Sequence, residues 1–92
     1  MHLLRIEHAV KNFEDWQNAF DSDPVGRQKS GVRGYRVMRP VDDEKYVIVD
    51  LEFDDRSRAE SMLTDLRKLW GDVEGKVMMD PKTRIVEVVE SQ

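Results

Sequence analysis

The nine residues Lys45 to Phe53, KYVIVDLEF, alternate so strictly that they fit a strand and not a helix. Side chains on a strand point to opposite faces with period two, whereas a helix brings every third or fourth residue to one side. Val47, Val49, Leu51 and Phe53 are all apolar and share one face. Tyr46, Ile48, Asp50 and Glu52 share the other and grade from apolar to acidic. The first face is ordinary core. The second is too apolar at one end for open water and too charged at the other for a core, so function is expected there.

The neighbouring residues extend this strand into a sheet. PVDDE at residues 40–44 is a turn signal between Val32–Arg39 and Lys45–Phe53, which predicts an antiparallel hairpin. The register that satisfies both strands puts Tyr35 and Val37 with the apolar face. It places Arg36 and Met38 beside Tyr46, Ile48 and Asp50, with Arg36 a cross-strand neighbour of Asp50. Slipping it by one residue would mix apolar with charged on each face. Residues 2–10 read as another strand, with Leu4, Ile6, His8 and Val10 on one side and Leu3, Arg5, Glu7 and Ala9 on the other. A last strand is predicted over Thr83–Val89, with apolar groups on both sides.

Two helices complete the pattern. Asn12 is the predicted N-cap of the first, with Glu14 and Asp15 in its first turn and Phe13, Trp16, Ala19 and Phe20 as its apolar stripe. Trp16 is expected to anchor helix to sheet. Asp23-Pro24 predicts a single turn in the connection that follows. In the second helix Ser57 and Glu60 form a capping box, with Asp54 or Asp55 as alternative caps. Ala59, Met62, Leu63, Leu66, Leu69 and Trp70 mark its apolar face. Arg67 and Lys68 fall in the expected last turn and Gly71 just past its end. Asp72 to Lys82 reads as a turn and a loop closed by Asp80-Pro81.

The order strand, helix, strand, strand, helix, strand predicts an α+β, ferredoxin-like βαββαβ domain spanning residues 1–92. Both helices should cover one face of a four-stranded antiparallel sheet. A chain of 92 residues is marginal alone. Met38, Tyr46, Ile48 and valines of the last strand would leave an apolar patch on the uncovered face, so a homodimer closing two sheets face to face is expected. Such a closure holds side chains or one small ligand.

Composition narrows the partners. A net charge of −4 argues against nucleic acid, and no apolar run approaches a membrane span. Between Arg27 and Arg39 five basic residues (Arg27, Lys29, Arg33, Arg36, Arg39) stand without an acidic one. They are read as charge balance against residues 42–44 and 54–55, with an anion-attracting rim as the alternative. With no cysteine there is no disulfide scaffold or thiol nucleophile. The opening MHLLRIEHAV carries none of the marks of a signal peptide, and the cytoplasm is the expected location.

The hairpin GVRGYRVMRPVDDEKYVIVDLEF resembles the corresponding part of antibiotic-biosynthesis-monooxygenase-like domains, members of the dimeric α+β barrel superfamily. The likeness lies in the glycine–aromatic start, the basic–proline end, the acidic turn and the apolar strand. It covers residues 31–66 well and the rest by element order and length. It implies a dimeric barrel, and it leaves open quinone-forming oxygenation without a cofactor, lactone isomerisation or a role without chemistry. The haem-degrading members use a first-strand asparagine, a tryptophan within the second helix and a later histidine. Here the first strand has no asparagine, Met62 or Leu63 falls near the tryptophan's place, Trp70 comes later, and no histidine follows His8.

The expected site lies on the uncovered face. Arg36 and Asp50 would orient a small hydrophobic or aromatic ligand, with Glu52, Met38, Ile48 and Trp70 as further lining. His8 or Tyr46 would handle protons. The plainer reading of His8, beside Leu4, Ile6 and Val10, is a satisfied histidine at the end of a core strand. Asp50 and Glu52 lack a histidine to complete a ligand set, so neither a metal nor another cofactor is expected. Met78-Met79 would line an apolar cavity mouth. Two further readings use the same face: an isomerase or cyclase, and a binding or assembly module for which it is only the dimer interface.

Overall fold

Alternation and capping signals translate directly into the elements of the computed structural model, which describes residues 1–23, 26–73 and 79–92, with the backbone alone for Asp72, Val73 and Met79. The elements are β1 (His2–Ala9), α1 (Phe13–Asp21), β2 (Gly34–Met38), β3 (Tyr46–Phe53), α2 (Arg56–Val73) and β4 (Met79–Glu87). The four strands form one antiparallel sheet in the order β2-β3-β1-β4, the ferredoxin-like α+β arrangement.

The hairpin register is the one the two alternations demand: Tyr35 pairs with Leu51, Arg36 with Asp50, Val37 with Val49 and Met38 with Ile48. The Asp43 amide closes the turn on the Pro40 carbonyl, and the Lys45 amide donates to Asp43 Oδ1. On the helix side Leu4, Ile6 and Val10 from β1 and its end meet Val47, Val49, Leu51 and Phe53. Trp16 from α1 and Ala59, Met62 and Trp70 from α2 seal that layer. Each fully buried aliphatic or aromatic side chain there contributes roughly 1.5–3 kcal/mol, which fixes the register far more firmly than the strand hydrogen bonds do.

Asn12 caps α1 as its position predicts, accepting from the Asp15 amide at 3.0 Å. At α2 the cap is Asp55, which accepts from the Arg58 amide at 2.8 Å, rather than Ser57. Glu60, the other half of the expected capping box, instead takes Arg56 at 2.6 Å one turn back. The helix also runs through Gly71 to Val73. A Cβ at Gly71 would meet nothing within 4 Å, so this glycine is neither a cap nor a close contact, and Arg67 and Lys68 lie inside the helix rather than in its last turn.

β4 starts four residues before the expected Thr83, at Met79, and takes in Asp80 and Pro81. Proline fits because β4 is an edge strand, where a missing amide leaves no neighbour unpaired. The pairing with β1 shifts between Glu7 and Ala9, the irregularity that accommodates this start. The turn expected at Asp23-Pro24, the loop expected within residues 74–78 and the lining role of Met78 lie outside the described residues.

Candidate functional site

The strand registers sort the uncovered face into cross-strand rows. One row runs Gly34, Glu52, Leu3, Val86; the next Arg36, Asp50, Arg5, Arg84; the next Met38, Ile48, Glu7, Lys82. Tyr46 and Ala9 follow. Apolar side chains thus flank a charged row, and both helices pack on the other side of the sheet.

Asp50 is the centre of this face. It is only 2% exposed although no helix covers it. Arg5 holds both of its oxygens, Nε to Oδ1 and Nη2 to Oδ2, each at 2.8 Å. This fork is the geometry in which a guanidinium matches a carboxylate. The carboxylate in turn raises the Arg5 pKa, first through the hydrogen bond and then through charge attraction. With both oxygens engaged, Asp50 is not a free proton acceptor.

One row away Tyr46 Oη donates to Glu7 Oε1 at 2.8 Å. That bond, with burial and the Glu7 charge behind it, raises the tyrosine pKa above its ordinary value of 10.0. Tyr46 therefore remains a phenol at neutral pH, a donor paired to a carboxylate through which a proton can pass. At the far end Glu52 lies across Gly34: a Cβ there would come within 2.9 Å of Glu52 Oε2. Glycine at that position makes room for the carboxylate.

Arg36, Met38, Tyr46, Ile48, Asp50 and Glu52 therefore share one face, as their alternation predicts. His8 and Trp70 do not join them. His8 pairs with Val47 on the helix-covered side, is 1% exposed, and has its ring centroid 6.0 Å from that of Trp16. Its Nδ1 donates to the Ala9 carbonyl at 3.0 Å, while Nε2 is buried without a partner among the described residues. Burial lowers its pKa, with that backbone bond opposing, so the ring is neutral. The sheet stands between it and Tyr46. Trp70 is buried on α2 and lines a groove of about 230 Å³ with Arg67, Gly71, Pro81 and Thr83, again on the helix side. The convergence of His8 and Trp70 on Asp50 is thus corrected by the parity of β1 and the packing of α2.

Three of the five basic residues in the run have local partners. Arg33 lies 3.6 Å from Asp54, Arg39 stacks on Phe13, and Arg27 packs over Phe20 and Tyr35 while donating to the Phe20 carbonyl. Arg84 and Lys82, by contrast, belong to the open face; Arg84 fell within the expected last strand without being assigned to the site, and Lys82 fell in the expected loop. Their signal is a second alternation: Lys82, Arg84 and Val86 face Glu7, Arg5 and Leu3.

No family model and no curated protein sequence matches the chain. Solved structures do match, at low identity. The chain is similar to an antibiotic biosynthesis monooxygenase (12% identity, 98% of this chain and 100% of that one, TM-score 0.67). It is similar to a dimeric ferredoxin-like protein from an uncultured marine organism (16%, 99% and 97%, 0.69). A mutant of MhuD with two manganese protoporphyrin IX molecules per active site also matches (15%, 100% and 98%, 0.76). Together they establish the fold.

The residues present do not fit a haem on the open face. His2 and His8, the only histidines, pair with Phe53 and Val47 on the covered side. Among the described residues no group of three histidine, cysteine or acidic side chains converges to hold a metal ion, and no described helix is long and apolar enough to cross a membrane.

Proposed function

We propose that this chain is a homodimer whose two open sheet faces close around a small-molecule site. We further propose that the site oxygenates a small hydroxylated aromatic or polyketide-like compound with molecular oxygen. The observation that carries the reading is the 2%-exposed Asp50, held by Arg5 on a face without helices and bordered by half-buried Met38, Ile48, Leu3 and Val86. A charge kept buried among apolar groups on an uncovered face is what a closed, ligand-holding interior needs. The likeness in fold to an antibiotic biosynthesis monooxygenase supports the reaction class.

In this reading the hydroxyarene supplies the electrons. One oxygen atom of O2 forms the new bond to ring carbon, the O–O bond breaks, and the second atom leaves as water with the two hydrogens lost from the carbon and the hydroxyl. The product is a quinone. Arg36 and Asp50 orient the ligand, with Glu52, Met38 and Ile48 as its walls. The Tyr46–Glu7 pair moves the proton, His8 being on the far side of the sheet. Oxygen uptake with a panel of hydroquinones and hydroxynaphthalenes tests the reaction. The site assignment fails if replacing both Arg36 and Asp50 by Ala leaves ligand binding unchanged.

A second reading has its own observation. Both Asp50 oxygens are already taken by Arg5, as in a buried pair that only fixes the register of an interface. Under it the protein is a binding or assembly module. Turnover without oxygen uptake would instead indicate an isomerase or cyclase.

A further inference from the structure

We propose that Arg5 and Arg84 form an anion subsite on the open face, selecting ligands that join a carboxylate to a flat apolar body. The inference rests on the reading of that face as a ligand site and adds the chemistry of the ligand.

Arg5 and Arg84 stand directly opposite each other across β1 and β4. Like charges in that position destabilise a strand pair unless something neutralises them. Asp50 neutralises Arg5. Arg84 is exposed and has no ion pair or hydrogen bond among the described residues. The whole row, Arg36, Asp50, Arg5, Arg84, therefore carries three cations and one anion, in a chain whose net charge is −4. Lys82, diagonal to Arg5, adds another cation, and the Glu7 it faces already accepts from Tyr46.

The donors are also prepared. A guanidinium has five N–H groups, and Asp50 engages Arg5 only through Nε and Nη2, so Nη1 remains free in an orientation the fork has fixed. Adjacent strands lie about 4.8 Å apart, so one carboxylate can reach both Arg5 and Arg84 with charge-assisted bonds. The next row offers half-buried Leu3 and Val86 to the body behind that head group. The Asp50 charge nearby favours a monoanion over a dianionic phosphate.

On the same face Asp50 gives both oxygens to Arg5 and Glu7 accepts from Tyr46, so both carboxylates already have partners other than Arg84.

The test is an amide-shift NMR titration of the full chain with naphthoate and with its neutral analogue naphthamide, repeated on Arg84→Gln, an exposed edge-strand substitution that leaves the core intact. Naphthoate should bind about tenfold more tightly than naphthamide, lose that advantage as salt rises, and lose it in Arg84→Gln. Equal binding of the two probes on the open face would overturn the anion subsite while leaving the ligand site standing. No open-face shifts with either probe would overturn both. If Arg84→Gln changed only self-association and kept the naphthoate preference, Arg84 would belong to an interface and the inference would fail.

Discussion

Among the described residues, the two faces of this sheet each bury one titratable side chain, and they do so by opposite means. His8 and Asp50, from adjacent strands, are 1% and 2% exposed. On the covered face His8 gives up its charge: apolar surroundings hold it neutral, and its Nε2 goes without a partner among the described residues, at a cost of about 1–3 kcal/mol set against its packing on Trp16. On the open face Asp50 is met by a cation: Arg5 holds both of its oxygens. A core tolerates a polar group by neutralising it. A working face retains charge and arranges partners around it.

The largest test of that contrast is truncation on each side. Phe53→Ala should cost about 3–5 kcal/mol of unfolding free energy in urea, because its side chain is fully buried in the core beneath the helices. Ile48→Ala, half-buried on the open face, should cost far less in the monomer and show its effect in self-association instead. Equal losses would erase the distinction between the faces.

Next in size is the ion pair. Arg5→Met should destabilise by about 1–3 kcal/mol, a value kept low because the arginine is half exposed. Adding Asp50→Leu should recover most of that loss, since the cost lies in a buried carboxylate without a partner. Failure of the second substitution to rescue the first would mean that Arg5 acts through packing.

His8 makes a pH-dependent prediction. Its folded pKa lies below the unfolded value of about 6.5, so in the window between them the unfolded chain binds the extra proton. Its contribution is fully present above pH 6.5 and is lost as pH falls towards the folded pKa. Comparing denaturation curves of the native chain and His8→Leu should show a steeper acid decline in the native chain. Parallel curves would count against a neutral, buried ring. Smallest of all, Gly34→Ala should change stability by under about 0.5 kcal/mol. The crowded atom is the far end of the flexible Glu52 side chain, which can swing aside.

The hairpin was legible because two alternating runs had to agree: only one register keeps Tyr35, Val37, Val49 and Leu51 together, and it places Arg36 beside Asp50. The parity of β1 likewise grouped His8 with Leu4 and Ile6, so its place in the core could be read, although its chemistry suggested a site. The edge beyond α2 was not legible. Gly71 carries a stop signal that an exposed helical position simply tolerates, and Asp80-Pro81 carries a turn signal that an edge strand absorbs. With β4 begun too late, Lys82 was left outside the strand, and the alternation Lys82, Arg84, Val86 that faces Glu7, Arg5 and Leu3 was cut short. Trp70 was ambiguous for another reason: an aromatic residue serves equally as helix core or pocket lining, and only packing decides.

The central claim is that the open face, and not the helical side, is where two copies meet around the site. Sedimentation velocity on the native chain, Ile48→Lys and Thr64→Lys tests it most directly, because each variant places the same charge on one side only. The account predicts a dimer for the native chain and for Thr64→Lys, exposed on α2, and a monomer for Ile48→Lys. A native monomer, or an Ile48→Lys dimer as tight as the native one, would contradict it.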